Sequence, residues 1–402
     1  MHNITESVAF IGALNPNLRV FDVIMRTEYG TSYNSYLVKG SEKTALIEAA
    51  HNTFFESYLE DLKQALGGAA PDYLVLNHCE PDHTGCVDKL LEVFPDMTIV
   101  VSGAGAIYIK QITNRGESLK LQIAKNGDKI DLGGRTLEFI IAPFLHWPDS
   151  MFTWLPEEKM LFSCDFLGAH YCEPLLYDHK VTYPQQYLES SKYYYDCIFA
   201  PFPEYVLKGL EKIEGLDIEY ACVSHGPILT KGGLLREVMD KYRRWATPQP
   251  RQEKHIPIFY VSAYGNTGLL ADMIGRGIQE VLPTAKVDIH NLIDMEPSLT
   301  DCQHLMNESD AFLIGSPTLN RDSLPPIWQL LAGIEAVGFP KKPVAIFGSY
   351  GWSGEALPNI AQRLEQVKAN VYPQQLKVVF VPSDDDLAAA SEFGRSFARS
   401  LV

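Results

Sequence analysis

The chain has 402 residues, 46% apolar and 21% charged, with a net charge of −16. That length exceeds one comfortable hydrophobic core and implies two domains of roughly 150–250 residues. The acidic balance argues against a nucleic-acid surface, which needs clustered Lys and Arg, and no apolar run approaches the roughly 20 residues of a membrane helix.

The N-terminal stretch lacks a basic start and a sustained apolar run, so no signal peptide is expected. Seven scattered cysteines without a C-x-x-C pair suit a reducing cytoplasm better than a disulfide framework. They also exclude an appended rubredoxin-type iron site or zinc ribbon. Along the chain, short strands end in polar clusters: Tyr73–Asn77 before His78, Leu137–Pro143 before His146, Met160–Ser163 before Asp165, and Tyr220–Ser224 before His225. Val87, Leu90, Leu91 and Phe94 share one face at helical spacing. Arg243–His255 is charged, holds two prolines and reads as a linker between a domain at 1–250 and another at 251–402. Beyond it, strands at Ile256–Ser262, Ala311–Ile314, Val344–Phe347 and Val378–Val381 alternate with helical patterns such as Gly268–Val281. Such alternation implies a parallel sheet wound on both faces.

The run Asn77-His78-Cys79-Glu80-Pro81-Asp82-His83-Thr84-Gly85 packs four ligand-type side chains into six positions after an apolar strand. Pro81 is expected to forbid a regular helix there and stiffen the loop. Taken singly, a His on a loop or an Asp after a strand has ordinary explanations, as a surface residue or a turn cap. The whole set resembles the metallo-β-lactamase superfamily, whose loop reads H-x-H-x-D-H. Glu80 replaces its second His, and the loop H-x-E-x-D-H resembles that of the flavodiiron proteins. His146-Trp147-Pro148-Asp149-Ser150-Met151, Cys164-Asp165 and Ser224-His225-Gly226-Pro227 match that family in order. The resemblance implies an N-terminal metallo-β-lactamase-like αββα sandwich with two irons. One iron takes His78, Glu80 and His146, the other Asp82 and His225, and Asp165 bridges them. His83 either ligates the second iron or stands behind a water. Three carboxylates favour iron over zinc, as harder, more anionic ligation should. His170 and Tyr171 are candidates for proton delivery, against the alternative of ordinary hydrogen-bonded residues.

In the second domain Ser262-Ala263-Tyr264-Gly265-Asn266-Thr267-Gly268 joins a strand to a helix and can present amides and hydroxyls to a phosphate. Gly315-Ser316-Pro317-Thr318-Leu319-Asn320 and Gly348-Ser349-Tyr350-Gly351-Trp352-Ser353-Gly354 follow two further strands. Ligands of doubly wound sheets sit at such carboxyl ends. The pattern resembles the flavodoxin family, which implies flavin mononucleotide (FMN). Its phosphate would lie in the first loop and its ring between the others, with Tyr350 or Trp352 as an aromatic face. No dinucleotide G-x-G-x-x-G follows a strand, so neither NAD nor FAD is expected.

Together the two resemblances imply an oxidoreductase that passes electrons from FMN to the irons, reducing dioxygen to water or nitric oxide to nitrous oxide. They further imply a head-to-tail homodimer or homotetramer and the minimal two-domain form, with rubredoxin or reduced coenzyme F420 as external donor. The competing readings are a zinc hydrolase of the metallo-β-lactamase superfamily with an accessory flavodoxin-like domain, and an FMN-holding sensor without turnover.

Overall fold

The apolar runs of the N-terminal half form strands covered on both faces, which is why they read as unbroken hydrophobic stretches. In the computed structural model, which describes all residues except 24, 248–252, 295 and 335–340, the chain forms two compact units, Met1–Pro248 and Gln249–Val402. The first unit holds a seven-stranded sheet in the order His2–Asn3, Val8–Phe10, Tyr36–Lys39, Thr44–Ile47, Tyr73–Leu76, Thr98–Val101, Leu121–Ile123. Its six-stranded companion runs Lys129–Asp131, Thr136–Ile141, Met151–Leu155, Met160–Cys164, Tyr220–Val223, Leu229–Thr230. Between them Tyr36, Val38, Ile47, Val75 and Val100 pack with Phe139, Met151, Met160 and Phe162.

Successive strand residues point to opposite faces. Leu37, Leu46, Leu74 and Ile99 therefore lie in a second core with residues of the helices Phe55–Leu66, Val87–Val93 and Gly103–Ile112. On the far side Phe152, Trp154, Leu161 and Val223 lie under Pro184–Ile198, Pro203–Ile213 and Leu235–Ala246. The result is the αββα sandwich that the resemblance implies.

Two local expectations are corrected. Pro81 does not forbid a helix; it opens the single turn Pro81–Thr84, where its missing N–H is no loss. Arg243–Ala246 are not linker. They finish the helix Leu235–Ala246, whose buried Leu235, Val238, Tyr242 and Ala246 keep helical spacing through the charged residues. Residues 248–252 of that stretch lie outside the described residues.

The second unit is a five-stranded parallel sheet ordered Ile289–Asn291, Ile258–Tyr260, Phe312–Gly315, Pro343–Tyr350, Asn370–Val379. That order, 2-1-3-4-5 in chain sense, is flavodoxin-like. Asn266–Val281 and Asp384–Arg399 cover one face; Leu299–Glu308, Pro325–Ala332 and Ala356–Gln366 cover the other. The edge strand Ile289–Asn291 was not anticipated, because its short, half-exposed Ile-His-Asn carries no strand pattern. The strand expected at Val344–Phe347 extends to Tyr350, so Gly348, Ser349 and Tyr350 belong to the sheet and not to a loop. Among the described residues no helix is long and apolar enough to cross a membrane.

Phe162 is fully buried between the sheets on the strand that leads to Asp165. Phe162→Ala should lower the unfolding free energy by about 3–5 kcal/mol in urea titration; a loss below about 1 kcal/mol would contradict this packing.

Candidate metal centre and flavin loops

Strand ends of both sheets deliver the first site. Asn77 donates its backbone N–H to Glu48 Oε1 at 2.9 Å and accepts Met151 N–H at 2.9 Å, so the loop it begins is rooted in both sheets. At Cys164 a register shift against Tyr220–Val223 and a φ of +53° turn the chain just before Asp165. Bulges of this kind re-aim a side chain. The Asn34 amide holds the carbonyls of Val223 and Gly226 at 2.7 and 2.9 Å, fixing the two sides of His225.

Seven side chains converge, and Asp165 divides them into two groups. Asp165 Oδ2 is 3.6 Å from Nε2 of both His78 and His146, and each of those nitrogens is 3.2 Å from Glu80 Oε2. Asp165 Oδ1 is 3.2 Å from His83 Nε2 and 3.4 Å from His225 Nε2. Asp82 completes that second group, 3.4 Å from His83 Nε2 and 2.9 Å from His225 Nε2. Within His78, Glu80, His146 and Asp165, and again within Asp82, His83 and His225, one ligand atom per residue lies within 4.8 Å of all the others.

Despite this closeness, both oxygens of Asp82 and of Asp165 and Nε2 of His83 are buried without a hydrogen-bond partner. Buried polar atoms are rarely left so, and here they face one another around two points, as donors to cations do. Charge agrees. Burial alone would lower the His78 imidazole, but hydrogen bonds to Asp149 and Glu80 raise it well above its ordinary value. Burial likewise opposes Asp82 and Asp165 at His83, yet they push it up to about 10. Burial would raise the Glu80 and Asp165 carboxyls, and the adjoining imidazoles hold both low instead. A cluster this anionic binds cations, whether protons on its imidazoles or metal ions that displace them.

The imidazoles are oriented from behind. His78 Nδ1 is 3.2 Å from Asp149 Oδ1, whose other oxygen accepts the Cys79 N–H at 2.7 Å. His225 Nδ1 donates to the Ser32 carbonyl at 2.7 Å. With Nδ1 so engaged, Nε2 is left for a metal. His170 lies 5.0 Å from His225 and 4.3 Å from Phe21, with Nδ1 2.9 Å from Thr31 Oγ1. Burial first, then His225, pushes its pKa well below the ordinary value. Tyr171 is not brought to the cluster; its ring packs on Tyr29 and Tyr187 at 5.4 and 5.6 Å. Sequence reasoning assigned no role to Asp149, Ser32, Asn34 or Glu48. Only Asp149 left a signal, an acid three residues after His146.

In the second unit the first helical turn after Ile258–Tyr260 and the end of Pro343–Tyr350 meet through Thr267 Oγ1 and Ser349 Oγ at 3.1 Å. Ser316 and Thr318 donate backbone N–H groups to the Phe347 and Ser349 carbonyls at 3.2 and 3.1 Å. Ser316 Oγ is spent locally, on the Pro317 carbonyl, Ser323 and Leu324 N–H. Gly265, at φ +85°, begins the helix Asn266–Val281 without a side-chain cap, so its first amides stay open. Ser262 Oγ, four residues before that helix, is buried and unpartnered. Ala263 is exposed, Asn320 is left-handed at φ +52°, and Gly351 and Gly354 are half-buried. Tyr264 and Trp352 are 89% and 95% exposed, Leu319 is exposed, and Tyr350 is half-buried. An uncapped helix start, an orphan hydroxyl and uncovered aromatic rings fit a phosphate joined to a flat ring system.

Residues 31–226 match the family described as ODP family beta lactamase, and residues 258–394 match flavodoxin. The flavo-diiron protein FprA2 of Clostridium acetobutylicum is 49% identical over 399 residues, 99% of either chain. The anaerobic nitric oxide reductase flavorubredoxin of Klebsiella pneumoniae is 33% identical over 405 residues, covering 98% of this chain and 81% of that one. The solved rubredoxin oxygen:oxidoreductase of Desulfovibrio gigas superposes with a TM-score of 0.75 at 27% identity, over 99% of this chain and 98% of that one.

Removing an orienting carboxylate should loosen the metal without touching a ligand. Asp149→Ala is expected to weaken metal retention about 10–100-fold in chelator competition. Ser262→Ala, which deletes this unpartnered hydroxyl, should weaken FMN binding roughly 10–100-fold in flavin-fluorescence titration if the loop holds the phosphate.

Proposed function

The chain belongs to the flavodiiron protein family, and from that membership we propose that it reduces dioxygen to water, nitric oxide to nitrous oxide, or both. It is an oxidoreductase with an FMN and a di-iron centre. The reading is carried by Asp165, a buried carboxylate whose two unpartnered oxygens face two separate groups of imidazoles and carboxylates.

In this assignment His78, Glu80 and His146 hold one iron, Asp82, His83 and His225 the other, and Asp165 bridges them. His83 is counted a ligand because its Nε2 is buried, unpartnered and as near to Asp165 as its neighbours are. Ser262–Thr267 take the FMN phosphate, and Ser316–Asn320 with Ser349–Gly354 take the ring, Trp352 or Tyr350 supplying the aromatic face. When bound, the flavin stores two electrons and the iron pair two more, enough for dioxygen to two waters or for joining two nitric oxide molecules.

The protein's own groups prepare that chemistry. Glu80 and His146, 17% and 13% exposed, are the most open of the seven side chains, so gas and protons approach on their side. Elsewhere rings exclude water: Phe21 and Tyr33 lie 5.4 and 5.8 Å from His225, Trp147 lies 5.1 Å from His78, and Phe199 lies 6.2 Å from His146. His170 continues this wall, 4.3 Å from Phe21 and 5.0 Å from His225. A dry wall strengthens the electrostatic hold of the carboxylates on the cations.

Head-to-tail pairing of two chains, in a dimer or tetramer, brings one chain's flavin to its partner's irons. The exposed Trp352 and Tyr264 rings support it, as apolar surface that another chain can cover. A separate donor, rubredoxin or reduced coenzyme F420, supplies electrons. The setting is cytoplasmic, in keeping with cysteines that form no disulfide among the described residues.

Two measurements test the reading. Protein purified without added metal should hold two irons and one FMN per chain; two zincs and no flavin would make it a hydrolase. In anaerobic stopped-flow with each gas, Asp165→Asn and His146→Ala should lose at least about a hundredfold in gas reduction, the scale of losing a preorganised charge-stabilising group. FMN should stay bound and reducible in both variants. Full turnover by both would remove the metal assignment.

A further inference from the structure

An aromatic seam leads from the metal pocket through the helical layer of the second sheet. Tyr194, buried on Pro184–Ile198, stands edge-on to His170 at 4.9 Å and lies 6.2 Å from His225. Its ring borders Gly168, where a Cβ would sit 3.5 Å from Tyr194 Cε1, and the Tyr242 hydroxyl donates to the Gly168 carbonyl at 3.4 Å. Phe199 fills the space beside this step, 6.0 Å from Tyr194 and 5.7 Å from Tyr242. Tyr242 lies 5.1 Å from Tyr195 and 5.6 Å from Trp245, and Tyr195 lies 5.1 Å from Trp245. Trp245 is half-buried, with the Lys192 ammonium 5.6 Å from its ring centre.

Packing does not explain the choice of residues. Tyr195 Oη is buried with no hydrogen-bond partner, and the Tyr242 hydroxyl makes a long hydrogen bond to the Gly168 carbonyl. Phenylalanine would fill nearly the same volume without stranding a hydroxyl. Tyrosine and tryptophan differ from it in being oxidisable by one electron with loss of a phenolic or indole proton.

We propose that Tyr194, Tyr242, Tyr195 and Trp245 form a one-electron relay that draws oxidising equivalents out of the metal pocket when dioxygen arrives before the flavin has been reduced. The proposal rests on the dioxygen-reducing reading. Reduction to two waters takes four electrons and four protons; an iron pair alone supplies two electrons, and two are missing. Trp245 supplies one, which passes through Tyr195 or Tyr242 and then Tyr194 to the pocket. The Trp245 indole nitrogen releases its proton to water, leaving a neutral radical. A small thiol or ascorbate returns a hydrogen atom to Trp245, which then supplies the second electron in the same way. Solvent provides the four protons at the pocket. The relay spares the ligand imidazoles from oxidation.

The test uses the iron- and FMN-loaded protein, given two electron equivalents per chain, mixed with oxygenated buffer and freeze-quenched. Loss of the ferrous state is followed separately from the radical, read by electron paramagnetic resonance. The native chain should show a tryptophanyl and tyrosyl signal as the irons oxidise. Trp245→Phe should lose the tryptophanyl component, and Tyr195→Phe should reduce it several-fold. After repeated cycles Trp245→Phe should carry several-fold more oxidation on pocket peptides by mass spectrometry. Tyr58→Phe, which removes a buried hydroxyl in the other helical layer, should behave as the native chain does. Irons that oxidise with no radical, or with a signal unchanged in Trp245→Phe, overturn the relay alone. Irons that stay ferrous under dioxygen defeat the dioxygen reading and the relay with it.

Discussion

One buried carboxylate organises the first unit. Asp165 is withdrawn from water, its oxygens make no hydrogen bond, and each faces a separate set of imidazoles. A charge in that position is costly unless countercharges are held close. Asp82 and Glu80 add to the same anionic density. The αββα sandwich makes the arrangement tolerable, since its buried strands lock the ends from which these side chains project. The turn at Cys164, the anchoring of Asn77 to both sheets and the clamp of Asn34 around His225 all serve that purpose.

The second unit meets an anion by the opposite means. Its strands run parallel, and the open amides at the start of Asn266–Val281, with the unpartnered Ser262 hydroxyl, can do what cationic side chains do elsewhere. The two electrostatic designs are complementary: buried carboxylates suited to cations, and backbone dipoles at a strand's carboxyl end suited to a phosphate. The acidity of the chain therefore does not prevent it from holding an anionic cofactor.

Much of this was legible because function here sits where strands stop. His78, Glu80, Asp82 and His83 follow an apolar strand within one short segment, and no packing pattern explains so many ligand-type residues there. The Ser- and Gly-rich turn before Asn266–Val281 was legible for the same reason, whereas Gly348–Tyr350, read as loop, lie in a strand. Pro81 misled because proline forbids a helix interior but suits its first turn. Arg243 and Arg244 misled because charge on the exposed face hid the buried stripe of Tyr242 and Ala246. Tyr171 adjoins His170 in sequence, but neighbouring side chains diverge, and its ring packs away from the cluster.

The sequence by itself determined where ligand-type residues gather, where a Ser- and Gly-rich turn opens a helix, and that two kinds of sheet carry them. These are properties of residue type and local spacing. Only the tertiary structure decided that Asp165 stands between the two groups, that His83 joins Asp82 and His225, that Asp149 and the Ser32 carbonyl turn the imidazoles, and that four oxidisable rings line up behind Tyr194. Each of these is a meeting of segments far apart along the chain. Their partners are chosen by how sheets and helices pack, which no short stretch of sequence encodes.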